Sequence, residues 1–185
     1  MPPPLEETTA PVSVKRAGIW DAESIADVAA ATFPLACPPD ATGADIAAFI
    51  ETALTAERFS EYLTDPARTV LKATIEGEIV GYLMAIDAPP DDPAIAALLT
   101  ARRSIEISKF YVLSGRHGTG VSNALMGAAV ELGRSGGHAG LWLGVNQQNA
   151  RARRFYAKQG FEVVGERRFT VGSQVHEDYV MQRIL

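Results

Sequence analysis

Three stretches of this sequence combine residue types that can do chemistry. The first is Gly115-Arg116-His117-Gly118-Thr119-Gly120-Val121-Ser122-Asn123, which follows a β-rich run and opens a stretch with Val121, Leu125 and Val130 at helical spacing. A strand entering a helix through Gly-x-Gly leaves several backbone N–H groups unpaired with no Cβ in the way, and the helix dipole adds partial positive charge there. Such a turn binds phosphate oxygens, with Arg116 as a charge-assisted contact and Thr119, Ser122 and Asn123 as further donors. Taken alone, it is equally a plain strand-to-helix connection. The Gly-x-Gly-x-x-Gly spacing of a dinucleotide fold is absent, and no Gly-Lys-Ser/Thr follows to make a nucleotide P-loop.

The second stretch runs from Asn149 to Phe161. Asn149 stands at an N-cap position and Gly160 at a C′ position, with Ala152 and Tyr156 between them at helical spacing. Tyr156 falls seven residues after Asn149, two turns along the same face. Without further context Phe155 and Tyr156 read as adjacent core aromatics of an amphipathic helix. The third stretch is Ser104–Val112, an extended run in which alternation places 106, 108, 110 and 112 on one face, so Glu106 lies upstream of the Phe110-Tyr111-Val112 edge. Its carboxylate is either solvated or a base.

These residues need a scaffold, and the rest of the chain reads as one. Residues 1–11 are proline-rich and aperiodic, so a leader is expected there, followed by a single domain over 12–185. A strand near Val12–Ala17 precedes a helix capped by Asp21. Residues 34–42 break that helix, and two more helical stretches, Ala44–Ala56 and Ala56–Tyr62, end at Asp65-Pro66, making an insert over 34–66 that is a candidate substrate wall. Thr69–Ile75 and Glu78–Ile86 form a hairpin about Glu76-Gly77, and the prolines at 89, 90 and 93 force a loop. After strand Ser104–Val112 come a helix from Val121 to Arg134, a strand at Leu141–Val145, a helix at Ala150–Gln159 and two closing strands near Phe161–Thr170 and Val175–Ile184.

Composition narrows the functional classes. The net charge of −5 argues against a nucleic-acid binder, although it divides into −11 over residues 1–100 and +6 over 101–185. The acidic half suits a cation and the basic half a polyanion. No apolar run approaches the ~20 residues of a membrane span, and no secretory signal is present, so a cytoplasmic protein without a membrane partner is expected. A lone cysteine, Cys37, excludes an internal disulfide, and His117, His138 and His176 lack metal-site spacing, so no metal is expected. Cys37 is unsupported as an acyl carrier, because no histidine lies near it in sequence.

Two motifs then carry a resemblance. Phe110-Tyr111-Val112-Leu113 followed by His117-Gly118-Thr119-Gly120-Val121-Ser122 resembles the acyl-CoA motif of the GNAT N-acetyltransferases, usually Gln/Arg-x-x-Gly-x-Gly/Ala, with His117 and Ser122 departing from it. Asn149-Ala150-Arg151-Ala152-Arg153-Arg154-Phe155-Tyr156 through Gly160-Phe161 resembles the family's Asn-x-x-Ala-x-x-Phe-Tyr-x-x-x-Gly-Phe. The likeness extends from Val12 to Leu185 and is greatest to bacterial spermine/spermidine N-acetyltransferases, through Thr32-Phe33 after the first helix, Glu78–Leu83, Ile107–Val112, Leu141–Val145 and the Phe169–Met181 hairpin.

The resemblance implies an α/β (α+β) fold with a mixed sheet of six to seven strands flanked by helices and a V-shaped splay between strands four and five. It implies acetyl-CoA as co-substrate, gripped by the turn from Arg116 to Ser122 and by Phe110, Tyr111, Val112, Asn149 and Ala152. Asn149 would hold the pantetheine arm, Ala152 would leave room for it, and a backbone N–H near Val112 would meet the oxyanion. Tyr156 would protonate the departing thiolate, and Glu106 resembles the position of a base that some members use through water. The acceptor would be a small primary amine of polyamine type, attacking directly in a ternary complex. A protein N-terminus or an antibiotic amine is the alternative acceptor, and an acyl-CoA sensor without turnover the alternative class. A homodimer is compatible with all of these.

Overall fold

Seven β-rich runs join into one sheet whose order follows from how each is connected. β1 (Ser13–Arg16), β2 (Arg68–Ile75), β3 (Glu78–Ile86) and β4 (Ser104–Val112) pair antiparallel in that order, and β5 (Gly140–Asn146), β7 (Gln174–Ile184) and β6 (Glu162–Val171) complete the order β1-β2-β3-β4-β5-β7-β6. This computed structural model describes residues 10–116 and 120–185, so residues 1–9 of the expected leader, and His117, Gly118 and Thr119, lie outside it. Among the described residues β4 and β5 are the one parallel pair, as they must be when α5 (Val121–Ser135) crosses over between them. The expected mixed sheet is present. No helix among the described residues is long and apolar enough to cross a membrane.

Helices bury both faces of the sheet. On one side α5 and α6 (Ala150–Lys158) cover Leu83, Leu141 and Leu143 of the sheet, α5 through Leu125 and Met126, each of the five at most 1% exposed. On the other, α1 (Ala22–Ala36), α2 (Gly43–Ala53) and α3 (Ala56–Thr64) pack over Tyr82 and Met84 through Ile25, Ala29 and Phe59. Each such aliphatic side chain contributes roughly 1.5–3 kcal/mol of burial. Thr42 and Thr55 start α2 and α3 by accepting the N–H groups of Asp45 and Arg58 at 3.1 Å. The β2–β3 hairpin turns on Glu76 (φ 51°) and Gly77 (φ 82°), the two positive values a type I′ turn requires.

Three features differ from the sequence reading. The first helix runs through Pro34 to Ala36, so Thr32-Phe33 lies inside it and not after it. Pro34 sits in the last turn, where little of the ladder remains to be lost, and stacking of Phe33 on Phe49, with centroids 4.5 Å apart, holds that turn in place. The proline run 89–93 is not only loop, because Pro93–Leu98 forms the short helix α4, capped by Asp92 accepting from the Ala94 N–H at 2.8 Å. Third, a bulge shifts the β3–β4 register between Met84 and Ala85, pairing Lys109 with Met84 and Ile107 with Ala85. The strict alternation expected along β4 is thereby broken. Ile107, Phe110 and Val112 face the α5–α6 side, whereas Glu106 has Lys109 and Arg68 as electrostatic neighbours on the α1–α3 side.

Candidate active site

β4 and β5 pair only at Ser104–Glu106 against Gly140–Trp142, although β4 continues to Val112 and β5 to Asn146. Beyond the Glu106–Trp142 rung the two strands part, and the sheet opens into the expected V. The N–H of Leu113 bonds to the Val80 carbonyl at 2.8 Å, so by strand alternation the N–H of Val112 turns away from β3, toward the edge that β5 has left. Two cavities occupy the opening. One of about 560 Å³ spreads toward the start of α5, and one of about 170 Å³ lies below the α1–α2 loop. Phe110, Tyr111, Asn149, Ala152 and Tyr156 line both, so the larger and smaller spaces share one junction.

The larger cavity ends at the phosphate-type turn. Gly120 is the N-cap of α5 at φ 87°, a left-handed conformation that L side chains adopt at a cost. The first hydrogen bond of the helix runs from the Ala124 N–H to the Gly120 carbonyl, and no side chain caps the terminus. The N–H groups of Val121, Ser122 and Asn123 therefore have no acceptor within the helix. Val121 is fully buried and anchors the turn, so its contribution to a ligand is its N–H alone. Ser122 lines the cavity, Arg116 is exposed beside the turn, and Asn123 is steadied by the Gln159 amide donating to its Oδ1 at 2.9 Å. His117, Gly118 and Thr119 belong to this expected set and lie outside the described residues.

The opposite wall is α6, and its sequence fixes both ends. Asn149 Oδ1 accepts the Ala152 N–H at 3.1 Å, and the Phe161 and Gly160 N–H groups close the helix on the carbonyls of Tyr156 and Ala157 with Gly160 at φ 85°. The cap uses the carbonyl oxygen of Asn149, which leaves its amide NH₂ as the donor for a ligand in the groove. Asn149→Ala is expected to lower stability by about 1 kcal/mol through the lost cap and to raise the KM for a ligand held in that groove. Denaturant unfolding and steady-state kinetics check the two effects separately.

Tyr156 stands at the junction. It is 8% exposed, its ring meeting Phe110 at 6.1 Å, Phe155 at 5.6 Å and Phe161 at 5.8 Å between centroids. Burial, and secondarily Tyr111, pushes the phenol well above its ordinary range, which keeps it a proton donor at neutral pH. Burial raises Tyr111 in the same way. Glu106, by contrast, occupies the apex rung of the V and is not among the residues lining either cavity. Burial raises its carboxyl pKa, opposed by Arg167, Arg68 and Lys109. Desolvation, with Arg68 adding repulsion, brings the Lys109 ammonium down to about 8, and this side chain lies near the rings of Tyr62 and Phe49.

The smaller cavity holds residues the sequence reading did not assemble. Cys37, Arg167, His176 and Asp178 line it together with Tyr111 and Tyr156. Arg167 lies over Trp142 and 3.5 Å from Asp178, crossing β5 at Gly144, where any Cβ would collide with the guanidinium. The outer edge is pinned across the molecule. Asp45 accepts from the Ser173 N–H and hydroxyl, while Gln174 donates to the Asp40 carbonyl and accepts from the Thr42 N–H. In this way the insert that was expected to wall the substrate site is fastened to the β6–β7 hairpin. A weak signal was available in the alternation His176, Asp178, Val180, Gln182, a polar-rich inner face on a closing strand.

Comparison with known proteins agrees with this geometry. The acetyltransferase (GNAT) family profile matches residues 31–161. An uncharacterized N-acetyltransferase of Mycobacterium tuberculosis strain H37Rv is 48% identical over 165 residues, spanning 89% of this chain and 98% of the relative. Among solved structures, the PaiA N-acetyltransferase of Thermoplasma acidophilum in complex with coenzyme A superposes with a TM-score of 0.74 at 16% identity, covering 95% of this chain and 99% of that one. A ribosomal-protein-alanine N-acetyltransferase of Brucella melitensis gives 0.70 at 23% identity over 94% and 99%. At such identities these structures speak for the fold.

Proposed function

Because this chain belongs to the acetyltransferase (GNAT) family and is an acetyl-CoA-dependent N-acetyltransferase, we propose that it acetylates a small aliphatic amine of polyamine type by direct attack within the V of the sheet. The observation that carries the reading is the narrow inner cavity of about 170 Å³, which has Asp178 on its wall and lies under a loop bearing Asp40. A space of that size takes an alkylamine arm, and the Asp40 carboxylate at its rim attracts the ammonium, Asp178 being engaged by Arg167.

Acetyl-CoA occupies the larger cavity in this reading. The N–H groups at the start of α5 that have no acceptor within the helix hold the diphosphate, with Arg116 beside them, and the pantetheine runs between Asn149 and the free edge of β4. The acetyl carbonyl is met by the N–H of Val112, which stabilises negative charge as the neutral amine adds. As the tetrahedral intermediate collapses, the C–S bond breaks and the Tyr156 hydroxyl protonates sulfur. The phenolate regains its proton from the nitrogen that becomes the amide.

Thiol release from acetyl-CoA over a panel containing spermidine, an aminoglycoside and an alanine-terminated peptide tests the acceptor class, with mass spectrometry locating the acetyl group. We expect kcat/KM for spermidine to exceed the others at least about tenfold, the discrimination that 1.4 kcal/mol of differential transition-state binding gives. A preference for the peptide amine overturns the polyamine assignment, and acetyl-CoA binding without turnover on any amine favours the sensor reading.

A further inference from the structure

The amine arrives as an ammonium and must lose a proton before it can attack, and β7 supplies a group placed to take it. We propose that His176 is the catalytic base of this enzyme, accepting the ammonium proton on Nε2. The proposal rests on the acetyl-transfer reading above and concerns the same inner cavity.

His176 lines that cavity together with Tyr111 and Tyr156, and its side chain is 8% exposed. Nε2 is buried and has no hydrogen-bond partner among the described residues, a costly condition for an imidazole unless a ligand completes it. The other nitrogen, Nδ1, lies 4.0 Å from Asp40 Oδ1. Gln174, donating to the Asp40 carbonyl at 3.0 Å and accepting from the Thr42 N–H, keeps this loop against the strand. The titratable and charged groups that line the cavity with the imidazole are Cys37 from the end of α1, Tyr111 from β4, Tyr156 from α6, Arg167 from β6 and Asp178 from β7, and Asp40 stands beside Nδ1. Arg167 is engaged by Asp178, and burial raises the Cys37 thiol and holds it neutral.

Glu106 is less well placed for the same duty. It sits at the closed apex of the V, with Arg167, Arg68 and Lys109 as its electrostatic neighbours, and lines neither cavity.

The step balances without any further reactant. R–NH₃⁺ gives one proton to Nε2, the lone pair so freed forms the C–N bond, and the imidazolium passes its proton on to solvent. The second nitrogen proton is the one that replaces the proton Tyr156 gave to sulfur.

The test compares amines of different basicity at pH 7. His176→Gln is expected to lower kcat/KM about 100-fold for an alkylamine with a pKa near 10, within the usual range for losing a general base. For an amine fluorinated beside its nitrogen, which arrives neutral, the loss should shrink below about fivefold, and added imidazole should partly restore His176→Ala. The KM for acetyl-CoA and the melting midpoint with CoA should stay within error, which a merely structural histidine would not allow alongside an amine-dependent loss. An equal loss for both amines, or no loss, overturns the proposal. So does Glu106→Gln showing the amine-dependent loss while His176→Gln does not. If the unaltered enzyme acetylates no amine of the panel, the underlying reading falls first and this one with it.

Discussion

Gly120→Val is expected to weaken acetyl-CoA binding about 100-fold, equivalent to about 2.7 kcal/mol, while the protein still folds. Two physical effects separate at this position. A Cβ built on Gly120 meets nothing within 4 Å, so no core contact is crowded, and the folding cost is the strain of a branched side chain at φ 87°. That strain is about 1–2 kcal/mol, small beside the stability of an ordinary domain. Gly120 lines the larger cavity, and on the proposed binding mode the added side chain would crowd the diphosphate approaching the N–H groups of Val121, Ser122 and Asn123. Any relaxation of φ would also turn those groups away from a shared focus. Calorimetric titration with CoA measures the loss, and a thermal melt without ligand measures the cost to the fold. Normal CoA affinity in a folded valine variant would sink the assignment of this turn.

What the sequence made legible was local. Glu76-Gly77 specifies its own turn, and Asn149 and Gly160 fix the ends of α6 through hydrogen bonds spanning a few residues, so both were readable before any partner strand was known. The open edge of β4 was reached only through resemblance, because a splay is a property of two strands and not of either one. Asp92-Pro93 carried a helix-start signal that the neighbouring prolines obscured. Pro34 illustrates the opposite error, a breaker overruled by the stacking of Phe33 on Phe49. The face of Glu106 was misread for a non-local reason, since the bulge that breaks alternation in β4 arises in its register with β3. The alternation around His176 marked only a polar-rich face, because the loop beside it is bonded to β7 across 132 residues, through Thr42 and Gln174.

Tyr156→Phe tests the chemistry where Gly120→Val tests the grip. The variant keeps the ring among Phe110, Phe155 and Phe161, so stability should change by less than about 1 kcal/mol and the KM for acetyl-CoA by no more than about twofold. Turnover at saturating substrates should fall about 100-fold, since only the hydroxyl proposed to protonate sulfur is lost. The pH dependence makes the assignment sharper. A general acid works while protonated, and burial holds this phenol above its ordinary range, so its contribution persists as pH rises and is lost only when pH passes that raised value. The unaltered enzyme should therefore show no fall in kcat attributable to the acid between about pH 6 and 9, whereas an exposed tyrosine would begin to ionise near the top of that range. Unchanged turnover in the phenylalanine variant would leave the thiolate to depart unassisted, and the hydroxyl at the junction of the two cavities would then serve only to close the aromatic wall around Phe110.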